Sequence, residues 1–479
     1  MQQKSRGHVR KLALVVMFAV GKAGSASAEL GQEPATDQPR EPGDVREHES
    51  DSPPPRLEPH ELSKELRTPD DVTKSWWDWE HAAGDWGRGR PWLDERGLTL
   101  EIRYTADFFY NMRGGLNTSD AEQYRGLLGI GMTLDTELLG LWKGGTTFIS
   151  MFENHGTDIT GRHVGDLQAL NNADAPNRTR LYEFWYEHAF FDDKLRIKLG
   201  KMDANADFAA PDYGGEFIGS SAGFSPTIPI PTWPDPALGV AVFAKPADWL
   251  YFSAGVYDAN SSGTRGGFDT TFHGRNDSFT IWELGVRPKL SLFGQQEMPG
   301  SYRVGSFYHS GDWDVYFDDL GGRLRHRVHR GNAGVYVVCD QLLYREPKAA
   351  PATLSPPAEF SAEMLEDEEE EQGLGFFFQL GWVPSRYNEI TQHYGLGLLY
   401  TGLIPERDDD VAGIGMHHVS LSGHVQSMEQ RFSETAIEAF YKYQLTDFLS
   451  IKPDLQYIVN PGGTGRDAFV AGVRLEVSM

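Results

Sequence analysis

Glu183 and Glu187, in the run Arg180-Leu181-Tyr182-Glu183-Phe184-Trp185-Tyr186-Glu187, have the residue types of a glycosidase acid and base. The run alternates polar and apolar residues, so it reads as a strand. Four residues apart on one strand face, the two carboxyls sit roughly 13 Å from each other. That exceeds even the inverting separation of about 9.5 Å. His417-His418 are adjacent and on a strand point to opposite faces, so they cannot share a metal, and no His-Glu-x-x-His spacing appears. No Gly-x-Ser-x-Gly elbow stands out, and Pro461-Gly462-Gly463-Thr464-Gly465 reads as a loop between two strands. Cys339 is the single cysteine, which excludes an intramolecular disulfide and a thiolate cluster and leaves a small hydrophobe on an apolar strand. The sequence therefore predicts no enzyme, no cofactor and no metal site.

What these charged residues do depends on the elements that carry them. Over Ser433 to Met479, Phe469, Ala471, Val473, Leu475, Val477 and Met479 share one face, while Gly472, Arg474, Glu476 and Ser478 share the other. The preceding run repeats this, with Leu449, Ile451, Pro453, Leu455, Tyr457 and Val459 opposite Ser450, Lys452, Asp454, Gln456 and Asn460. About ten residues of alternation match a bilayer crossed at a tilt. About sixteen such runs begin near Leu98, Tyr124, Gly145, Thr179, Lys194, Pro236, Leu250, Thr280, Gly300, Gly334, Gly373, Tyr394, Asp410, Ser433, Leu449 and Ala468. Connections after odd-numbered runs are long, as in Gly156 to Arg178 and Asp203 to Asp235. Those after even-numbered runs are mostly short, as in Asp192-Asp193 and Thr446-Asp447. The fold class predicted is all-β: a transmembrane antiparallel up-and-down barrel with short periplasmic turns and long extracellular loops. Its last strand must pair with the one near Leu98, because an open edge cannot be left in lipid.

The alternation then assigns the lumen face. With Leu98, Leu100, Ile102, Tyr104, Ala106 and Phe108 toward lipid, Glu101, Arg103, Thr105 and Asp107 point inward. With Leu128, Ile130, Met132 and Leu134 outward, Arg125, Thr133 and Asp135 point inward; with Tyr182, Phe184 and Tyr186 outward, Glu183, Trp185 and Glu187 do. A basic charge facing lipid at mid-depth costs roughly 2 to 4 kcal/mol, which favours this register over its inverse. Arg103, Arg125, Glu183, Trp185 and Glu187 are the candidates for a pore constriction; the competing role is to wet the wall and brace it with salt bridges. The proline-rich stretch from Asp203 to Asp235, with Phe217, Phe224 and Trp233, is stiff enough to fold into a pore or to form an extracellular cap.

The bulk properties agree. Hydrophobic content is 39% and mean hydropathy −0.46, so spanning helices are not expected, whereas alternating strands are invisible to such averages. A net charge of −25 argues against a nucleic-acid partner. Arg6, Arg10 and Lys11, then Leu12 to Val20, then Ala26-Ser27-Ala28 read as a secretory signal over 1–28. Residues 29–75 read as a disordered linker rich in proline and charge, and 76–479 as the barrel. The connection 345–372, with its acidic run Glu366 to Glu371, is a disordered insertion where a short turn belongs. The tryptophans Trp76, Trp77, Trp79, Trp86 and Trp92 suit core packing, an interfacial anchor or a stacking platform.

Six blocks resemble the carbohydrate-selective porin family typified by OprB. They are Trp86-Gly87 with Arg90-Pro91-Trp92-Leu93, Tyr124-Arg125-Gly126-Leu127-Leu128, Trp142-Lys143-Gly144-Gly145, Arg180 to Glu187, Gly402-Leu403-Ile404-Pro405, and Pro453 to Gly463. The resemblance runs from about Trp76 to Met479. It implies a sixteen-stranded outer-membrane barrel that passes small carbohydrates passively, through a constriction where hydroxyls meet Arg and carboxylates and sugar faces stack on rings. The chain departs from the pattern in the linker, the acidic insertion and its final Met479, where such barrels generally end in an aromatic. Partners implied are small carbohydrates and outer-membrane lipid, with a monomer and a homo-oligomeric trimer both open. A general or ion-preferring pore, and a structural or surface-interaction protein, are the alternatives.

Overall fold

Alternation along the chain becomes a wall closed on itself in a computed structural model that describes residues 75–260, 277–315, 328–346 and 372–479. The expected signal peptide, nearly all of the linker and most of the acidic insertion lie outside these residues. The wall has sixteen antiparallel strands: β1 Leu98–Arg113, β2 Glu122–Asp135, β3 Gly145–Gly156, β4 Thr179–Phe190, β5 Leu195–Met202, β6 Ala237–Ala247, β7 Leu250–Asp258 and β8 Ser278–Val286 form one half. The other half is β9 Gln295–Asp314, β10 Val328–Arg345, β11 Gly373–Trp382, β12 Ile390–Thr401, β13 Val411–Leu421, β14 Ser433–Thr446, β15 Leu449–Val459 and β16 Ala468–Ser478. Each neighbour in sequence is a neighbour in the sheet, and β1 pairs with both β2 and β16. Tyr104 stands opposite Val477 and Asp107 opposite Arg474 across the seam. The closure required by lipid is met.

All sixteen expected runs are present, the widest boundary difference being Val328 against Gly334. A further short strand, Lys289–Leu292, pairs only with the start of β9. Its two-residue turn at Phe293-Gly294 has positive φ at both positions, 50° and 82°. That is the hairpin geometry matching strand twist, and glycine takes the second place without strain.

One expected orientation is wrong. Between the pairs Ser150–Glu183 and Met151–Leu181 the β3–β4 register slips, leaving Tyr182 as an extra residue on β4. Such a bulge turns its side chain out of the alternation. Tyr182 consequently faces inward, buried, with its hydroxyl donating to Asp203 and its ring against Phe152 at 4.7 Å. Phe184 keeps the outward orientation.

Residues 75–97 line the edge where β1 and β16 meet. A short helix, α1 Gly89–Asp94, buries Arg90, whose guanidinium donates to the carbonyls of Leu100 and Met479, both at 2.6 Å. Met479 N–H donates to the Ile102 carbonyl at 2.8 Å. Among the tryptophans packing wins at Trp76, which lies 4.7 Å from Phe448, whereas Trp86 and Trp92 stay exposed beside Arg90 and Arg96.

Candidate functional site

Three of the five candidate residues form one wall patch. Glu183, Trp185 and Glu187 face inward on β4, beside Arg196 and Lys198 of β5. Arg196 donates to both Glu187 oxygens at 3.0 and 3.2 Å, and Lys198 Nζ lies 4.3 Å from the Trp185 ring. Trp185 Nε1 donates to Glu183 at 3.2 Å. Arg103 and Arg125 stand apart on β1 and β2. Arg103 is exposed, whereas Arg125 is buried and donates to Asp174 at 2.9 Å and Asn177 at 2.8 Å. Its guanidinium is committed to a loop.

Two extracellular loops fold into the lumen, 157–178 and 203–236. The stiff segment from Asp203 to Asp235 is therefore inside the barrel. It is fastened by inward carboxylates that accept its backbone N–H groups: Glu183 takes Asp203, Glu283 takes Ala209, Asp340 takes Tyr213, and Glu438 takes Ile218 and Gly219. Glu434 does the same for Leu167 and Gln168 of the first loop and for Gly462. A carboxylate acceptor suits this work because its oxygens can satisfy several donors that burial would otherwise leave unpaired. The two loops also bond each other, with Asn172 N–H to the Ile218 carbonyl at 2.8 Å and Ser220 N–H to Ala169 at 3.0 Å.

The loop's own acids reach bases on the wall. Asp207 meets Lys198 at 2.8 Å, Asp212 meets Arg303 at 3.4 Å, and Glu216 meets Lys442 at 2.7 Å and Lys452 at 2.6 Å. Burial alone would raise the Glu216 carboxyl, but Lys452 and Lys442 outweigh it and hold it at about 2. At Asp174 burial wins, pushing the carboxyl up to about 7 against the pull of Arg125. At the β1–β16 seam Arg474 closes on Asp107 at 2.7 and 2.9 Å and on Asn171 and Asn172 of the first loop. Sequence reasoning missed Lys198, Asp207, Arg303, Glu216, Lys452 and Arg474 as members of this site. The inward parity of the strand residues was available, but their partners lie far away in sequence.

A closed barrel with an apolar exterior, a charged lumen and loops drawn into that lumen is an outer-membrane diffusion channel. Residues 120–479 match the family model described as carbohydrate-selective porin, OprB family, and the chain belongs to that family. It is 25% identical to Porin B of Pseudomonas aeruginosa over 436 residues, covering 82% of this chain and 90% of that protein. It is 23% identical to the putative porin QuiX of Acinetobacter baylyi over 435 residues, covering 82% and 92%. The high-pH structure of Pseudomonas putida OprB superposes with a TM-score of 0.72 at 21% identity, covering 85% of this chain and 100% of that one, and shows the same fold. The protein is thus a sugar-preferring porin of the bacterial outer membrane. Family and fold speak for a channel rather than an enzyme.

Proposed function

We propose that small carbohydrates cross this barrel down their gradient, through the space left between the inserted loops and the lumen wall. Arg103, Glu183, Trp185 and Glu187 line the path, and Arg125 serves as a loop anchor. The observation that carries the reading is the wall patch around Trp185, where Glu187, Arg196, Lys198 and Asp207 alternate acceptors and donors around an aromatic ring. A hydroxyl-rich solute that sheds water there finds replacement hydrogen bonds on both sides, so its desolvation is offset without tight capture. Loops pinned at several points keep that spacing fixed.

No cofactor enters this mechanism. The segment 1–28 would deliver the chain to the periplasm, with 29–75 serving as a linker to the barrel.

Single-channel recording in planar bilayers tests the reading. Glucose and maltose are expected to reduce the current, and Glu187→Gln and Arg103→Gln to shift the half-blocking concentration several-fold while the barrel stays folded. A current that no saccharide affects would instead favour a general or ion-preferring pore, and vesicles impermeable to sugars would favour a surface-interaction role.

A further inference from the structure

Beneath the start of the 203–236 loop, between β5 and β9, lies a cavity of about 180 Å³ whose roof is Ala206 and Asp207. The space equals about six waters at ~30 Å³ each, enough for one sugar ring. Its floor lies close to the short turns 191–194 and 248–249, toward the periplasmic side, and through Arg196 and Asp207 it adjoins the patch at Trp185.

The charges lining it are unequally free. Glu283 is largely engaged: it accepts from the Tyr251 and Tyr336 hydroxyls at 3.1 and 3.0 Å and from Ala209 N–H at 3.2 Å. Arg303 is matched by Asp340 and Asp212. Asp207 is matched by Lys198. Two guanidiniums keep capacity. Arg287 has no ion pair among the described residues and lies 5.0 Å from the Tyr251 ring centre, while Arg196 binds Glu187 through one nitrogen and lies 4.7 Å from that of Phe243. Each is therefore steadied by an aromatic face, which lowers the entropy lost when it binds. Lys245 and Asp193 complete the lining. The free chemistry is thus mainly that of donors, in a fork that fits a carboxylate bidentately and binds neutral hydroxyls less strongly.

We infer that this cavity is a periplasmic-side subsite for an acidic monosaccharide, its carboxylate held by Arg287 and Arg196 and its hydroxyls meeting Asp207 and Ser253. The inference rests on the porin reading for its purpose, because a sugar acid bound there has passed the inserted loop. It does not rest on that reading for its chemistry.

Calorimetric titration of the detergent-solubilised full-length protein with D-glucuronate and with D-glucose provides the test. Glucuronate should bind at least tenfold more tightly at low salt. Arg287→Gln should remove most of that preference while leaving glucose binding alone, Arg196→Gln should likewise remove most of the preference, and Arg287→Lys should retain part of it. Heat-modifiable migration on gels checks that each variant remains a folded barrel. Equal affinities for the two sugars, or a glucuronate preference that survives both glutamine variants, would overturn the subsite. Vesicle permeation separates the two readings. Normal glucose passage without a glucuronate preference sinks the subsite and leaves the porin standing, whereas glucuronate binding that depends on both arginines, without passage of any sugar, does the reverse.

Discussion

Replacing Glu216 by glutamine should loosen the inserted loop without opening the barrel. In the folded protein this carboxylate lies between Lys442 and Lys452, at 2.7 and 2.6 Å, and the Lys452 side chain is only 3% exposed. Its pKa falls from 4.5 to about 2. At about 1.4 kcal/mol for each pH unit, that displacement corresponds to roughly 3 kcal/mol of interaction favouring the docked loop. Leaving a buried ammonium without its partner carries a cost of similar size, roughly 3 to 5 kcal/mol. The sign follows from a depressed carboxylate value: the contribution is present above pH 4.5 and is lost as pH falls through 2, so mild acid should not release this contact in the wild type. Hydrogen exchange reads the effect directly. At pH 7, the Glu216→Gln variant should exchange the amides of Ile218 and Gly219 on the order of a hundredfold faster, while strand amides of β15 change little. Adding Lys452→Met should restore much of the protection by removing the stranded charge. Exchange in the single variant within threefold of wild type would refute the view that this ion triad holds the loop.

Arg90→Ala should lower the temperature of heat-induced unfolding in detergent, because two charge-assisted bonds at 2.6 Å join the seam strands through this side chain; at roughly 1.5 to 3 kcal/mol each, an unchanged transition would refute a role at the seam. Arg125→Gln should destabilise the 157–178 loop and make single-channel currents noisier while leaving the cation-to-anion permeability ratio near wild type, since Asp174 already occupies the guanidinium. Arg103→Gln should do the opposite, moving the reversal potential toward cations with no loss of thermal stability. Trp185→Ala should weaken sugar block several-fold, in keeping with about 1 kcal/mol for an aromatic contact.

The wall was legible in the sequence because each strand faces two solvents. Lipid outside and water inside impose period two on ten residues at a time, and the sorting of Leu475 from Arg474 or Leu455 from Asp454 needs no knowledge of a neighbour. Alternating loop lengths followed from the same geometry. Tyr182 escaped because a bulge is a local exception to parity, and its hydroxyl partner Asp203 lies beyond the next strand. The division of labour among lumen charges was not legible at all. Arg103 and Arg125 look alike as inward arginines on adjacent strands, yet one faces water and the other is enclosed by Asp174 and Asn177. Glu438 looks like a pore carboxylate, and instead it caps the amides of Ile218 and Gly219, about 220 residues away in sequence. Parity tells which side a charge is on, but only the path of the inserted loops tells whether solvent still reaches it. In a porin of this kind, selectivity depends on the charges the loops leave uncovered, so sequence changes within 157–178 and 203–236 should retune the pore even where every wall residue is kept.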